Sequence, residues 1–255
     1  MNKTCLATGR KSVRRAACGC AILLLAFAAA AAPPPEKPLG LWDRAVQLCR
    51  QVVVPTHAVF KTQVTNGKGK ILSRAEFTYR IEIEKGRPKL LVVKAIEDGK
   101  NVTEEYRAAE KKRPGKKHKR GHETTINLSP WYTPFSPSAQ GRTHVTPAGK
   151  TVLGKRQAAL YRFEQTDASG AHALVGSAWL DASTGLPIKV EVHPVSLPRH
   201  VDSLDTTIWY EKGPGETLSP VRTLIEGGGG FLWIHRKVIT RIESSGFRLL
   251  KRAGP

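Results

Sequence analysis

Residues 177–194, S-A-W-L-D-A-S-T-G-L-P-I-K-V-E-V-H-P, constrain the fold more than any other stretch. Leu180 and Asp181 end one alternating run, and Ala182-Ser183-Thr184-Gly185 supply turn chemistry. Leu186, Ile188, Val190 and Val192 then share one face, with Lys189, Glu191 and His193 on the other. Asp and Ser bond their own backbone in turns and Gly accepts positive φ, so the segment reads as a β-hairpin closed by a type I turn and a left-handed glycine. A lone hairpin is marginal in water. This one requires a larger antiparallel sheet whose apolar face is covered by a core, a helix or a ligand.

The same period of two recurs along the chain. Residues 59–65 form a strand and 66–69 (Asn-Gly-Lys-Gly) a turn. Residues 71–84 form a long strand in which Phe77, Tyr79, Ile81 and Ile83 oppose Glu76, Thr78, Arg80 and Glu82. Residues 90–96 are apolar on both faces. Further strands read at 158–165, 173–181, 186–193, 206–211, 221–226 and 231–242, for about nine in all. The glycine run 227–230 reads as the loop joining the last two, and Ala148-Gly149-Lys150-Thr151 reads as a turn. Leu41, Ala45, Leu48, Cys49 and Val52 fall at helical spacing, predicting an amphipathic helix over 41–53 that Pro55 ends. A second short helix is expected within 102–112. No internal repeat is present, and residues 40–252 read as a single domain.

The amino-terminal residues read as an address. Lys3, Arg10, Lys11, Arg14 and Arg15 precede an uninterrupted apolar stretch, 16–32, that ends in small residues. This is the pattern of a secretory signal peptide over 1–32, cut within 28–32 ahead of a stiff Pro-rich leader, 33–39. The alternative is an uncleaved anchor in the inner membrane, for which an Ala-dominated stretch is short and weakly apolar. Cys5, Cys18 and Cys20 fall in the signal, leaving Cys49 alone, so a mature chain has no intramolecular disulfide. The cysteines at the start of the apolar stretch are misplaced for a lipidation site. The expectation is an exported, unlipidated periplasmic protein.

Charge narrows the partners. Lys and Arg number 41 against 21 Asp and Glu, a formal net charge of +20. Without the five basic signal residues, 36 still face 21. Lys111, Lys112, Arg113, Lys116, Lys117, Lys119 and Arg120 crowd one insertion, 111–122. Inside a cell such a run suggests nucleic acid, but export puts nucleic acid out of reach, so an anionic membrane surface is the expected contact. Trp131, Tyr132 and Phe135 sit among Pro130, Pro134 and Pro137 with no strand period, which suits a flap over something apolar.

Catalytic signatures fail one by one. The Ala148–Thr151 stretch lacks the leading glycine of a phosphate-binding loop, where His144 stands instead. The 227–230 glycines are followed by neither Lys-Ser nor Lys-Thr. Gly176-Ser177 lacks the surroundings of a nucleophile elbow. His193 and His200 have no metal-ligand spacing and no cysteine pair beside them. These residues point to no enzyme, no cofactor and no metal.

W-L-D-A-S-T-G-L-P-I-K-V at 179–190, T-T-I-W-Y-E at 206–211 and E-G-G-G-G-F-L-W-I at 226–234 resemble the periplasmic LolA/LolB-type lipoprotein-carrier superfamily, over about residues 40–250. The resemblance implies an α+β fold: a large curved antiparallel sheet forming an unclosed β-barrel, with an N-terminal helix and a helix or loop lid. It also implies a non-enzymatic role, holding lipid acyl chains or lipoproteins in a hydrophobic cavity. The one-sided strands nominate Phe77, Tyr79, Ile81, Ile83, Leu180, Ile188, Val190, Ile208 and Tyr210 as cavity residues, with Trp131, Tyr132 and Phe135 as the lid. A monomer is expected. The competing reading is an exported polyanion-binding or scaffold protein whose sheet encloses only packed core.

Overall fold

In the computed structural model, residues 40–84, 87–112, 134–166, 173–231 and 234–250 are described; the signal and leader, most of the basic insertion, and Trp131 and Tyr132 lie outside them. Helix α1 (Leu41–Leu48) is followed by β1 (Val53–Val54), β2 (His57–Asn66), β3 (Ile71–Glu84), β4 (Arg87–Glu97) and β5 (Lys100–Asn101). Helix α2 (Thr103–Lys112) comes next, then a 3-10 turn at Pro137–Arg142. The remaining strands are β6 (Thr143–Leu153), β7 (Arg156–Thr166), β8 (Ala173–Asp181), β9 (Pro187–Pro194), β10 (Val201–Lys212), β11 (Leu218–Phe231), β12 (Ile234–Ser245) and β13 (Arg248–Leu249).

Eleven strands form one antiparallel sheet in the order β5-β4-β3-β2-β12-β11-β10-β9-β8-β7-β6, and β1 and β13 pair as a separate ribbon. Two meanders, β2 to β5 and β6 to β12, are thus joined where β12 returns to β2. The sheet does not close, because β5 and β6 stand at its two ends. Its edges differ. Along β4 the Arg107 guanidinium donates to the Val92 and Val93 carbonyls at 3.1 and 2.8 Å, and the Thr103 hydroxyl accepts from the Ala95 amide at 2.9 Å. Along β6 the edge is blunted by Pro147 and by a bulge at Gly149, whose φ is 112°.

Cross-strand register decides which residues share a face. Tyr161, Ala178, Val190, Ile208, Thr223, Ile242, Phe60, Phe77 and Ala95 follow one another as directly paired residues from β7 to β4. Directly paired side chains point to the same side, so this row defines the inner face. Two apolar clusters lie on it. The first gathers Trp42, Phe135, Phe163, Leu180, Val190, Ile208 and Tyr210, and the second Val54, Phe60, Ile81 and Ile242 with Phe77 and Tyr79. On the outer face the indoles are covered by cations: Lys189 Nζ lies 4.8 Å from the Trp179 ring and the Arg222 guanidinium 4.1 Å from that of Trp209.

Several sequence expectations meet a different chain path. Helix α1 ends at Leu48, short of the expected 53, because Val53 and Val54 pair with Leu249 and Arg248 instead. β-branched residues give up a helical turn readily when a strand partner is available. Gly227 to Gly230 do not form a loop; they lie inside β11, all four paired with β12 and Gly227 to Gly229 paired with β10 as well. Ala148 to Thr151 do not form a turn either, but belong to β6, a strand whose Pro147 is tolerated at the sheet edge. Around Ile188 the hairpin's alternation slips, because Trp179 pairs with Lys189 while Leu180 pairs with Pro187.

The hairpin turn itself is held by one carboxylate. Asp181 Oδ1 accepts from the Ser183 hydroxyl at 2.6 Å, the Ser183 and Thr184 amides at 3.0 Å each, and the Thr184 hydroxyl at 3.0 Å. Gly185 completes the turn at φ 75°. The Ser183 hydroxyl, and after it the Thr184 and Ser183 amides, hold the Asp181 pKa down to about 2. Because the folded value lies below the ordinary 3.8, the carboxylate's contribution is complete above pH 3.8 and is lost as the pH falls toward 2. Asp181→Ala is expected to lower stability by about 2 kcal/mol at neutral pH. In acid titrations followed by circular dichroism, the gap between wild type and variant should close between pH 4 and pH 2; a gap of constant size would show that the turn does not depend on the charge.

Candidate functional site

The clusters leave a trough between them. Down the inner face, β10 presents Ile208, Thr206 and Leu204, β11 presents Thr223, Ile225 and Gly227, β12 presents Ile242, Thr240 and Val238, and β2 presents Phe60, Thr62 and Val64. The clusters take Ile208, Ile242 and Phe60 and pack against Ile225, but Leu204, Val238 and Val64 belong to neither. Val238 keeps 37% of its surface exposed. The floor is low because its central residues are small. Thr62 and Thr240 spend their hydroxyls on each other at 3.1 Å.

Gly227 lowers the floor further. A Cβ built there would meet Leu204 Cδ1 at 3.7 Å, an ordinary contact, so the backbone does not demand glycine at this position. A glycine inside a strand forfeits packing and chain entropy. Gly229 is different, since a Cβ there would fall 2.2 Å from the His200 carbonyl oxygen.

The walls are built on aromatic contacts. On one side Trp42 of α1 packs against Phe135, Tyr161 and Phe163, with ring centroids 4.8, 5.6 and 6.2 Å away. Its indole N–H donates to Gln140 Oε1 at 3.0 Å. On the other, Phe60, Tyr79, Phe77 and Tyr106 form a chain of ring contacts that ends on α2. Tyr106 donates to Glu97 at 2.5 Å, and burial together with that carboxylate pushes its pKa up to about 12, so the phenol stays neutral.

The nine nominated cavity residues divide between the walls. Leu180, Val190, Ile208 and Tyr210 are buried in the first cluster; Ile81 is buried in the second, where Phe77, Tyr79 and Ile83 are half-buried. Ile188 sits half-buried at the hairpin's register slip. Phe135, nominated for a flap, is fully buried against Trp42. Trp131 and Tyr132 lie outside the described residues, as do Arg113, Lys116, Lys117, Lys119 and Arg120 and the side chains of Lys111 and Lys112. Sequence reasoning missed Gly227, Leu204, Val64 and Val238. Alternation assigns each of them a face; the β10–β11 and β11–β12 pairings set Leu204, Gly227 and Val238 side by side, and the β12–β2 pairing adds Val64. Among the described residues no group of His, Cys, Asp or Glu could hold a metal ion, and no helix is long and apolar enough to cross a membrane.

No family model and no curated protein matches the chain. Among solved structures it is similar to a DUF1329 family protein from Desulfovibrio piger, at 11% identity over 84% of this chain and 93% of that one, with a TM-score of 0.34. A putative outer membrane lipoprotein-sorting protein domain from Vibrio parahaemolyticus is similar at 11% identity over 84% and 95%, with a TM-score of 0.36. A chain of the Pseudomonas aeruginosa MucA/MucB complex is similar at 11% identity over 82% and 97%, with a TM-score of 0.21.

Proposed function

We propose that the protein is a non-enzymatic periplasmic carrier or sensor that binds lipid acyl chains, or the acyl chains of lipoproteins, in the inner-face trough. The observation that carries this reading is the inner-face strip between the two apolar clusters, where Leu204, Val238 and Val64 belong to neither and glycine stands where a side chain would fit. At about 0.8 kcal/mol per methylene, burying a dozen would supply roughly 10 kcal/mol before ordering costs. The seven cations from Lys111 to Arg120 would hold such a carrier reversibly at an anionic leaflet.

Native mass spectrometry of protein purified from the periplasm tests this directly. The expected result is a mass shift with lysophospholipid or lipopeptide at stoichiometric amounts, lost in Gly227→Leu, which fills the floor without burying a charge. An apo mass that never shifts would sink the reading. A specific observation keeps the polyanion alternative in view: Lys150, Lys155, Arg156 and Arg162 on β6, β7 and their turn are exposed, and none forms an ion pair among the described residues. Polyanion binding weakens steeply with salt, whereas a buried chain scarcely responds.

A further inference from the structure

The trough ends on a cation. Along β12 the inner face reads Ile242, Thr240, Val238 and then Arg236, and Arg236 is exposed. Its directly paired neighbours are Gly229 on β11, which has no side chain, and Asn66 on β2. The Asn66 amide oxygen is already taken by the Lys68 and Lys70 amides at 3.0 and 2.9 Å. The acids on adjoining positions belong to the outer face and are engaged there: Asp202 faces His235 at 3.7 Å, and Glu226 pairs with Lys237 at 3.2 Å. Among the described residues Arg236 therefore makes neither an ion pair nor a hydrogen bond.

We propose that the occupant of the trough is an anionic amphiphile whose head is held by Arg236 while its chain runs over Gly227, between Leu204 and Val238, toward Phe60 and Ile242. The inference rests on the acyl-binding reading above and adds the charge and direction of the ligand. Three properties of the site carry it. The guanidinium can give parallel N–H bonds to a planar or tetrahedral anion. Among the described residues no carboxylate pairs with it. The distance along β12 from Arg236 to Ile242 is about 20 Å at the rise of an antiparallel strand, room for one long chain laid along the floor.

The test compares two single-chain probes below their micelle concentrations, lysophosphatidylglycerol and lysophosphatidylcholine, titrated by calorimetry into the full mature chain. Wild type should bind the anionic probe more tightly. Arg236→Gln should weaken that probe about fivefold, the scale of a solvent-exposed charge pair, and leave the zwitterionic probe unchanged. Arg236→Lys should recover most of the loss, and circular dichroism should be the same for all three proteins. Gly227→Leu should weaken both probes alike. If wild type binds both probes and Arg236→Gln changes neither, or weakens both equally, the assignment of the head to Arg236 is overturned while acyl binding stands. If wild type binds neither, acyl binding falls and this assignment with it.

Discussion

Trp42→Ala should cost about 4 kcal/mol of folding stability, the scale of a large aromatic removed from a packed core. Trp42 is 9% exposed and joins three separate parts of the chain: helix α1, the 134–140 segment and strand β7. Its indole N–H holds Gln140, whose own amide donates to the Pro134 and Ser136 carbonyls at 2.8 and 2.9 Å. Removing the ring therefore empties the space against Phe135 and Phe163 and frees the polar group that ties this segment to the helix. Urea denaturation should show a much lower midpoint with a similar slope. Trp42→Phe, which keeps ring contact but not the donor, should lose about 1 to 2 kcal/mol. A loss below about 1 kcal/mol for Trp42→Ala would mean that α1 contributes little to covering the sheet.

Gly176→Ala should be nearly as damaging, at about 3 kcal/mol, although it adds a single carbon. A Cβ at Gly176 would lie 2.1 Å from the Glu191 carbonyl oxygen and 2.6 Å from Phe163 Cζ. Phe163 is the cross-strand partner of Gly176, so its ring covers the glycine and takes the place of the missing side chain. Shortening Phe163 to Leu in the same protein should relieve the ring contact but not the carbonyl contact, so the double variant should recover only part of the loss. Gly227→Ala provides the control. With 3.7 Å to its nearest atom it should be neutral or stabilising by about 0.5 to 1 kcal/mol. Thermal melts of the three proteins side by side read the contrast, and a stable Gly176→Ala would show that β8 and β9 can shift apart at little cost.

The opposite signs expected at Gly176 and Gly227 separate packing from function. Gly176 is required by its neighbours, while Gly227 is tolerated by them and is open only toward the trough. A side chain at Gly227 should therefore raise stability while reducing lipid binding, a combination that a purely structural role would not produce.

Local chemistry alone determined much of this protein. The strand Ile71–Glu84 and the strand Ala173–Asp181 stand where alternation places them, and the 181–185 turn uses the Asp181 carboxylate and Gly185 as turn chemistry requires. Each depends on contacts within a few residues, or on a period of two that one-sided burial enforces. What depends on a distant partner was not legible. Val53 and Val54 leave the helix because β13 offers them backbone hydrogen bonds almost two hundred residues away in the chain. Four glycines continue strand β11 because β12 pairs with all of them and β10 with Gly227 to Gly229, against their own preference for a turn. The trough is of this second kind. The β11–β12 pairing sets Gly227 beside Val238, but Val64 joins them only because β12 returns to pair with β2, and strand order is set by which pairing buries the most apolar surface across the whole sheet, a quantity that no local window of sequence contains.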